Sequence, residues 1–332
     1  MRILVTGATG YIGGAVAQAL LRTGHAVLGL ARSETAAAKL RRAGIAPIAG
    51  DFLNPDSLEK AAINVDGVIS AASVGSLEGS PETFARDREA VRALIRALKG
   101  SGKPLIFTSG SAVIGVFNDG EATAQIFDEN VVLPLPESVF APASANVPPM
   151  LMAGFGAAMA ARVGTERDVI GASGVRGIVV RPGLIYGEGG SYDLPKLINA
   201  ARANGGVAPH AGSGGTLHSY IHLDDLANLY RLAVEQASPG SVLHGVYGEV
   251  SQRDLAASVS RMLGAGDRSQ SVSLEQMYGL IGAAGISLSA NKRMSSKMTC
   301  RSLGWVPTRT DILHEVEFGS YATHQRDTRV TK

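Results

Sequence analysis

The sequence predicts an α/β protein in which a doubly wound parallel sheet carries a smaller α-rich C-terminal lobe. Two observations point there. Short, continuously apolar runs alternate five times with helical stretches in the first half of the chain, as strands buried on both faces do. A glycine-rich turn also joins the first run to the first helical stretch, and after Val180 the alternation stops.

The elements follow in order. Strands are expected at 2–6, 26–30, 46–49, 67–71, 104–108 and 177–180, with helices at 12–22, 35–43, 56–62, 82–99 and 150–170 between them. Gly24, Gly44, Gly100 and Gly174 each follow a helical stretch, where a left-handed C-cap favours glycine. Arg181-Pro182-Gly183 then breaks the chain. Beyond it, glycine-rich loops flank a helix at 194–203, and further helices are expected at 224–235, 252–263 and 274–283. Residues 1–182 and 217–247 are assigned to the sheet domain and 183–216 and 248–323 to a substrate lobe, with 324–332 a frayed tail.

Composition narrows the function. The 332 residues hold 31 Lys plus Arg against 29 Asp plus Glu, so no basic field exists for nucleic acid or an anionic membrane surface. Cys300 is the single cysteine and forms no disulfide within the chain or cysteine-based metal cluster; no metal is expected. The first residues carry an apolar run far shorter than a signal-peptide core, and the apolar stretch 148–161 falls short of the ~20 residues that span a bilayer. A cytoplasmic protein is expected. The 41 glycines are then accounted for by turns and helix ends rather than by low complexity.

The strongest signal is Thr6-Gly7-Ala8-Thr9-Gly10-Tyr11-Ile12-Gly13-Gly14 between the first strand and the first helix. Glycines there let backbone N–H groups approach a pyrophosphate at a helix N-terminus, the dinucleotide site of a Rossmann fold. The spacing is G-x-x-G-x-x-G. At the end of the second strand, Arg32 and Ser33 stand where an acid would accept from a ribose 2′-hydroxyl. A guanidinium beside a hydroxyl suits a 2′-phosphate, so NADP is expected over NAD.

These residues resemble the extended short-chain dehydrogenase/reductase family, also called the NAD-dependent epimerase/dehydratase family. The resemblance runs from about Met1 to Pro307. Besides the glycine turn it rests on Gly50-Asp51-Phe52, Ala71-Ala72-Ser73, Phe107-Thr108-Ser109-Gly110, Arg181-Pro182-Gly183-Leu184-Ile185-Tyr186-Gly187, Tyr220-Ile221-His222-Leu223-Asp224-Asp225-Leu226 and Leu303-Gly304-Trp305-Val306-Pro307. It implies that Asp51 and Phe52 flank the adenine and that Ala71, Ala72 and Ser73 line the path to the nicotinamide ribose. Arg181, Pro182 and Gly183 would lie beside the nicotinamide, and Thr108 would belong to the same site. Asp51 also suits a helix N-cap. The family further implies a homodimer through the fourth and fifth helices, and the apolar stretch 150–161 fits that.

Family chemistry uses a tyrosine and a lysine at i and i+4 on the long helix, with a Ser or Thr at the end of the fifth strand. Aligned on Arg162-Val163-Gly164-Thr165-Glu166, the lysine position is Arg162 and the tyrosine position is Ala158. The hydroxyl position falls at Gly110, between Ser109 and Ser111. Arg162 keeps a cation for the ribose or a substrate acid, but its pKa is too high for a proton relay. Candidate catalytic groups are therefore Ser109, Ser111 and Tyr186. A literal Tyr-x-x-x-Lys at Tyr192 and Lys196 follows the sixth strand and reads as chance. His210 and His218 lie in glycine-rich loops near the expected pocket, and His222 and Asp224 read as a packing and capping motif.

The expected function is an NADP-dependent oxidoreductase acting on a small carbonyl, hydroxyl or sugar-like substrate with a non-standard proton donor. The alternatives are an NADP-binding regulator without chemistry and an epimerase or lyase that uses bound cofactor transiently. Elaborated loops and a separate lobe favour an enzyme with an enclosed small-molecule site.

Overall fold

A computed structural model describes residues 1–74, 81–134 and 149–323. The tail expected at 324–332 lies outside the described residues. In chain order the first elements are β1 (Arg2–Thr6), α1 (Tyr11–Arg22), β2 (Ala26–Ala31), α2 (Glu34–Arg42), β3 (Ala46–Ala49), α3 (Pro55–Ala62), β4 (Gly67–Ser70), α4 (Pro81–Leu98), β5 (Pro104–Thr108), β6 (Val116–Phe117), α5 (Pro149–Ile170) and β7 (Arg176–Pro182). The remainder are β8 (Leu184–Tyr186), α6 (Leu194–Ala203), β9 (Ala208–Ala211), β10 (Leu217–His222), α7 (Leu223–Gln236), β11 (Ser241–Gly245), β12 (Tyr247–Ser251), α8 (Gln252–Met262), β13 (Ser269–Val272), α9 (Leu274–Ile281), α10 (Ala283–Ser289), β14 (Ala290–Asn291), α11 (Lys297–Leu303) and α12 (Ile312–Phe318).

Seven parallel strands form the main sheet in the order β11-β7-β5-β4-β1-β2-β3. The order reverses between β1 and β4, and that switch point opens a crevice at the carboxyl ends of the strands. The apolar runs form strands because both faces are covered. Val16 and Leu20 of α1 and Leu226, Leu229 and Tyr230 of α7 pack on one face. Leu58 of α3, Val91 and Leu94 of α4 and Val169 of α5 pack on the other. α3 begins at an Asn54 cap that accepts from the Ser57 N–H at 3.1 Å, so Asp51 is not the cap.

The seventh strand, β11, has no counterpart among the sequence expectations. Its Ser-Val-Leu-His-Gly carries too short an apolar run to stand out, and pairing with β7 is what makes it a strand. The second half also holds more sheet than expected. β10 pairs with β8 in parallel and β12 antiparallel, β9 pairs with β13, and β14 pairs with β6. The helix expected at 274–283 is two, because Gly282 at φ +63° interrupts it. The lobe has its own core around Tyr186, Leu197, Tyr220, Leu255, Met277 and Ile312.

Candidate functional site

The glycine turn lies at the switch point. Gly7 has φ +71°, a left-handed conformation that costs glycine little, and its carbonyl accepts from the Gly10 N–H at 2.8 Å. At Gly13 a Cβ would stand 2.3 Å from the Gly7 carbonyl oxygen, so only glycine lets α1 start this close to β1. Gly10 occupies the N-cap of α1 and no side chain caps the helix, which leaves its first N–H groups and its positive end for an anion. Those residues fit a dinucleotide pyrophosphate. Ile12 packs on the main core. Tyr11 points away from the turn: its hydroxyl donates to the Gly187 carbonyl at 2.8 Å, and burial raises its pKa.

From this turn a groove with a cavity volume of about 520 Å³ runs along the strand ends. Gly7, Thr9, Gly10, Arg32, Asp51, Phe52, Ala71, Ala72 and Ser73 all line it, so the structure gathers half of the residues singled out for a cofactor in this one groove. Arg32 is exposed along its rim. Ser33 is turned to another task, accepting from the Ala36 N–H to cap α2. Glu34, the nearest acid, is tied to Arg41 at 2.6 Å and does not line the groove. Lys39 of α2 reaches back to donate to the Thr9 carbonyl at 3.0 Å, bridging the helix to the glycine turn.

A second, narrower cavity adjoins the groove through Phe52, Ala72 and Ser73 and is also lined by Asp87, Thr108, Arg162 and Thr165. Arg162 Nη1 donates to the Ser109 carbonyl at 3.0 Å, which places its guanidinium at the end of β5. Burial lowers its pKa, while the charges of Asp87 and Glu166 act in the opposite sense. Ser73 donates to the Asp87 carboxylate, which also accepts from the Val74 N–H at 2.9 Å. Thr108 accepts from the hydroxyl of Tyr230 at 2.8 Å. Ser109 and Ser111 are both buried, and the Ser109 hydroxyl makes no hydrogen bond.

Gly110 and Ala158, where the resemblance leads one to expect a hydroxyl and a tyrosine, differ in kind. Gly110 has an extended backbone at φ 177°, and no atom lies within 4 Å of where its Cβ would be. Ala158 is fully buried in an apolar cluster with Phe84, Val113, Phe155 and Met159.

Other singled-out residues stay out of the groove. Tyr186 donates to the Arg309 carbonyl at 2.8 Å and packs edge-on against Tyr220 and His222 in the lobe core, and burial raises its pKa. Arg181 is buried in a two-bond pair with Glu166 of α5, at 3.1 and 2.7 Å, below the strand end; Pro182 and Gly183 continue from there onto the second sheet. His210 and His218 are both buried, and burial lowers the pKa of each. His222 accepts from the Asp224 N–H and caps α7. Lys196 lies 4.2 Å over the Tyr192 ring, and Pro195 sits in the first turn of α6. Among the described residues no group of three His, Cys, Asp or Glu is placed to hold a metal ion, and no helix is long and apolar enough to cross a membrane.

Sequence reading missed Lys39, Asp87 and Tyr230. Each acts across the fold, at separations of 30, 13 and 122 residues from its partner, and no local motif signals such contacts.

A parallel sheet with a glycine turn at its switch point and an enclosing lobe defines a dinucleotide-binding α/β protein. The chain belongs to the NAD-dependent epimerase/dehydratase family, whose sequence profile matches residues 3–244. Membership places it among NAD(P)-dependent oxidoreductases and epimerases. It is 32% identical over 323 residues to an uncharacterized protein of Schizosaccharomyces pombe, covering 97% of this chain and 100% of that one. It is 28% identical over 294 residues to the 2-alkyl-3-oxoalkanoate reductase of Stenotrophomonas maltophilia, covering 84% and 80%. The crystal structure of a dTDP-glucose 4,6-dehydratase from Streptomyces venezuelae with NAD bound has the same fold at TM-score 0.73, with 19% identity over 100% of this chain and 98% of that one.

Proposed function

We propose that the protein is an NADP-dependent reductase of a small carbonyl compound. The observation that carries this reading is the groove itself: Arg32 stands on its rim, while Glu34, the acid that follows it in sequence, is held by Arg41 and does not line the groove. A guanidinium there suits a 2′-phosphate, and the end of β2 carries Arg32 and Ser33 in place of an acid that would accept from a 2′-hydroxyl. In this reading Gly7, Gly10 and Gly13 hold the pyrophosphate, Asp51 and Phe52 flank the adenine, and Arg162 holds the nicotinamide ribose. The lobe formed by 183–216 and 248–323 closes over the substrate. A 3-oxoacid or a similar ketone is the substrate class, by analogy with the Stenotrophomonas reductase. Reduced nicotinamide, when bound, supplies a hydride to the carbonyl carbon.

Two further properties belong to the same proposal. α5 presents Gly156, Ala157 and Ala160 as exposed small residues beside α4, a surface on which a second copy can pack closely to form a homodimer. The cytoplasm, where NADPH is kept reduced, is the compartment this chemistry needs. Ala158 favours a second reading, an NADP sensor without catalysis, because no proton donor stands at that position.

Isothermal titration tests the cofactor. NADPH is expected to bind about tenfold or more tightly than NADH, and Arg32→Ala to remove about 1.5–3 kcal/mol of that preference, the worth of a charge-assisted pair. Tighter binding of NADH by the parent would overturn the assignment.

A further inference from the structure

We propose that Thr108 is the proton donor to the substrate carbonyl oxygen and that Tyr230 is the positioning residue that resupplies it. This rests on the reductase reading and names the acid which that reading lacks.

Reducing a carbonyl requires a proton at the oxygen, and general acids at such a position contribute about 100- to 10,000-fold. Neither replaced position has one to give: Ala158 is a methyl group in an apolar cluster, and Gly110 has no side chain. Thr108 sits two residues before Gly110, at the end of β5, and lines the narrow cavity with Arg162. At Gly110 itself nothing lies within 4 Å of where a Cβ would stand, so the chain just past β5 is open.

Behind Thr108 lies Tyr230, fully buried on α7 with its hydroxyl 2.8 Å from the Thr108 hydroxyl. The charge of Arg162 acts on the phenol from the other side of the strand end. A phenol and a cation are thus brought to one place, but from α7 and α5 on opposite faces of the sheet rather than from one helical face. Burial raises the phenol pKa, and both the Thr108 contact and Arg162 oppose that shift.

The balance is simple. As the carbonyl carbon is reduced, the C=O π bond opens and the Thr108 O–H bond breaks while an O–H bond forms on the product. The Tyr230 proton moves to Thr108. The phenolate left behind faces Arg162, and water returns the proton through Thr108 after the alcohol departs. NADPH is the reductant, and no other co-reactant is needed.

The test uses the holoenzyme with NADPH and two carbonyl probes, ethyl acetoacetate and diacetyl. Tyr230→Phe keeps the ring in the core and is expected to lower kcat about 100-fold or more with KM and the NADPH dissociation constant within about twofold. Thr108→Val should do the same, and Thr108→Ser should restore most of the rate. A readout without cofactor uses fluorotyrosine labelling, with the Tyr230 resonance assigned by its loss in Tyr230→Phe: Thr108→Val and Arg162→Met should each shift it. A Tyr230→Phe enzyme as fast as the parent, or a resonance that Thr108→Val leaves in place, overturns the proposal. A parent inactive on both probes overturns the reductase reading and this one with it, whereas an active parent with an equally active Tyr230→Phe removes only this one.

Discussion

At the scale of single residues, Gly110 and Ala158 sit in opposite surroundings. Gly110 has extended backbone and open space, so a side chain can be restored there without strain. Gly110→Ser is expected to leave the urea unfolding free energy within about 0.5 kcal/mol of the parent, since the backbone already suits any residue. Ala158 is closed in by phenylalanine, valine and methionine. Ala158→Tyr overpacks that cluster and is expected to cost about 1–3 kcal/mol or more in the same measurement. Equal effects of the two substitutions would contradict this description of the sites. The glycine turn was legible because its residues stand at fixed offsets within a local motif. Tyr186 was not, because its place depends on Arg309 far along the chain; its phenol turns into the lobe core rather than toward the groove.

Among the elements, α7 links the two halves of the molecule. Its first turn carries Asp225, buried, whose carboxylate accepts from the Thr308 N–H at 3.0 Å, the Thr308 hydroxyl at 3.0 Å and the Arg309 N–H at 2.8 Å. The Trp305 indole donates to the Asp225 carbonyl at 3.0 Å. Further along the same helix comes Tyr230. Asp225→Ala removes three bonds to a buried carboxylate and is expected to destabilise the fold by about 3 kcal/mol, read as a lower urea midpoint; a loss under about 1 kcal/mol would mean that the clasp carries little of the stability. The parallel strands were legible as continuous apolar runs and the helices between them by period. β8, β10, β12 and β11 were less so, because short strands take their identity from partners distant in sequence.

On the scale of the whole molecule, the main sheet supplies the groove at its switch point, and the second half of the chain is fastened beside the glycine turn. Tyr11, beside the phosphate-binding turn, holds the Gly187 carbonyl, while the Tyr321 hydroxyl accepts from the Gly187 N–H at 2.9 Å and itself donates to the Gly190 carbonyl. Loop 187–190 is thereby pinned from both sides, next to α6. The end of the strand–helix alternation after Val180 was legible; the ties of loop 187–190 were not, because these contacts join residues 131 to 176 positions apart. Hydride transfer is the central claim, and deuterium labelling at the nicotinamide C4 tests it most directly. With labelled NADPH and a 3-oxoester, one deuterium is expected on the carbinol carbon of the product for each NADPH oxidised. An alcohol product without deuterium, or no product from any carbonyl while NADPH still binds, would contradict it.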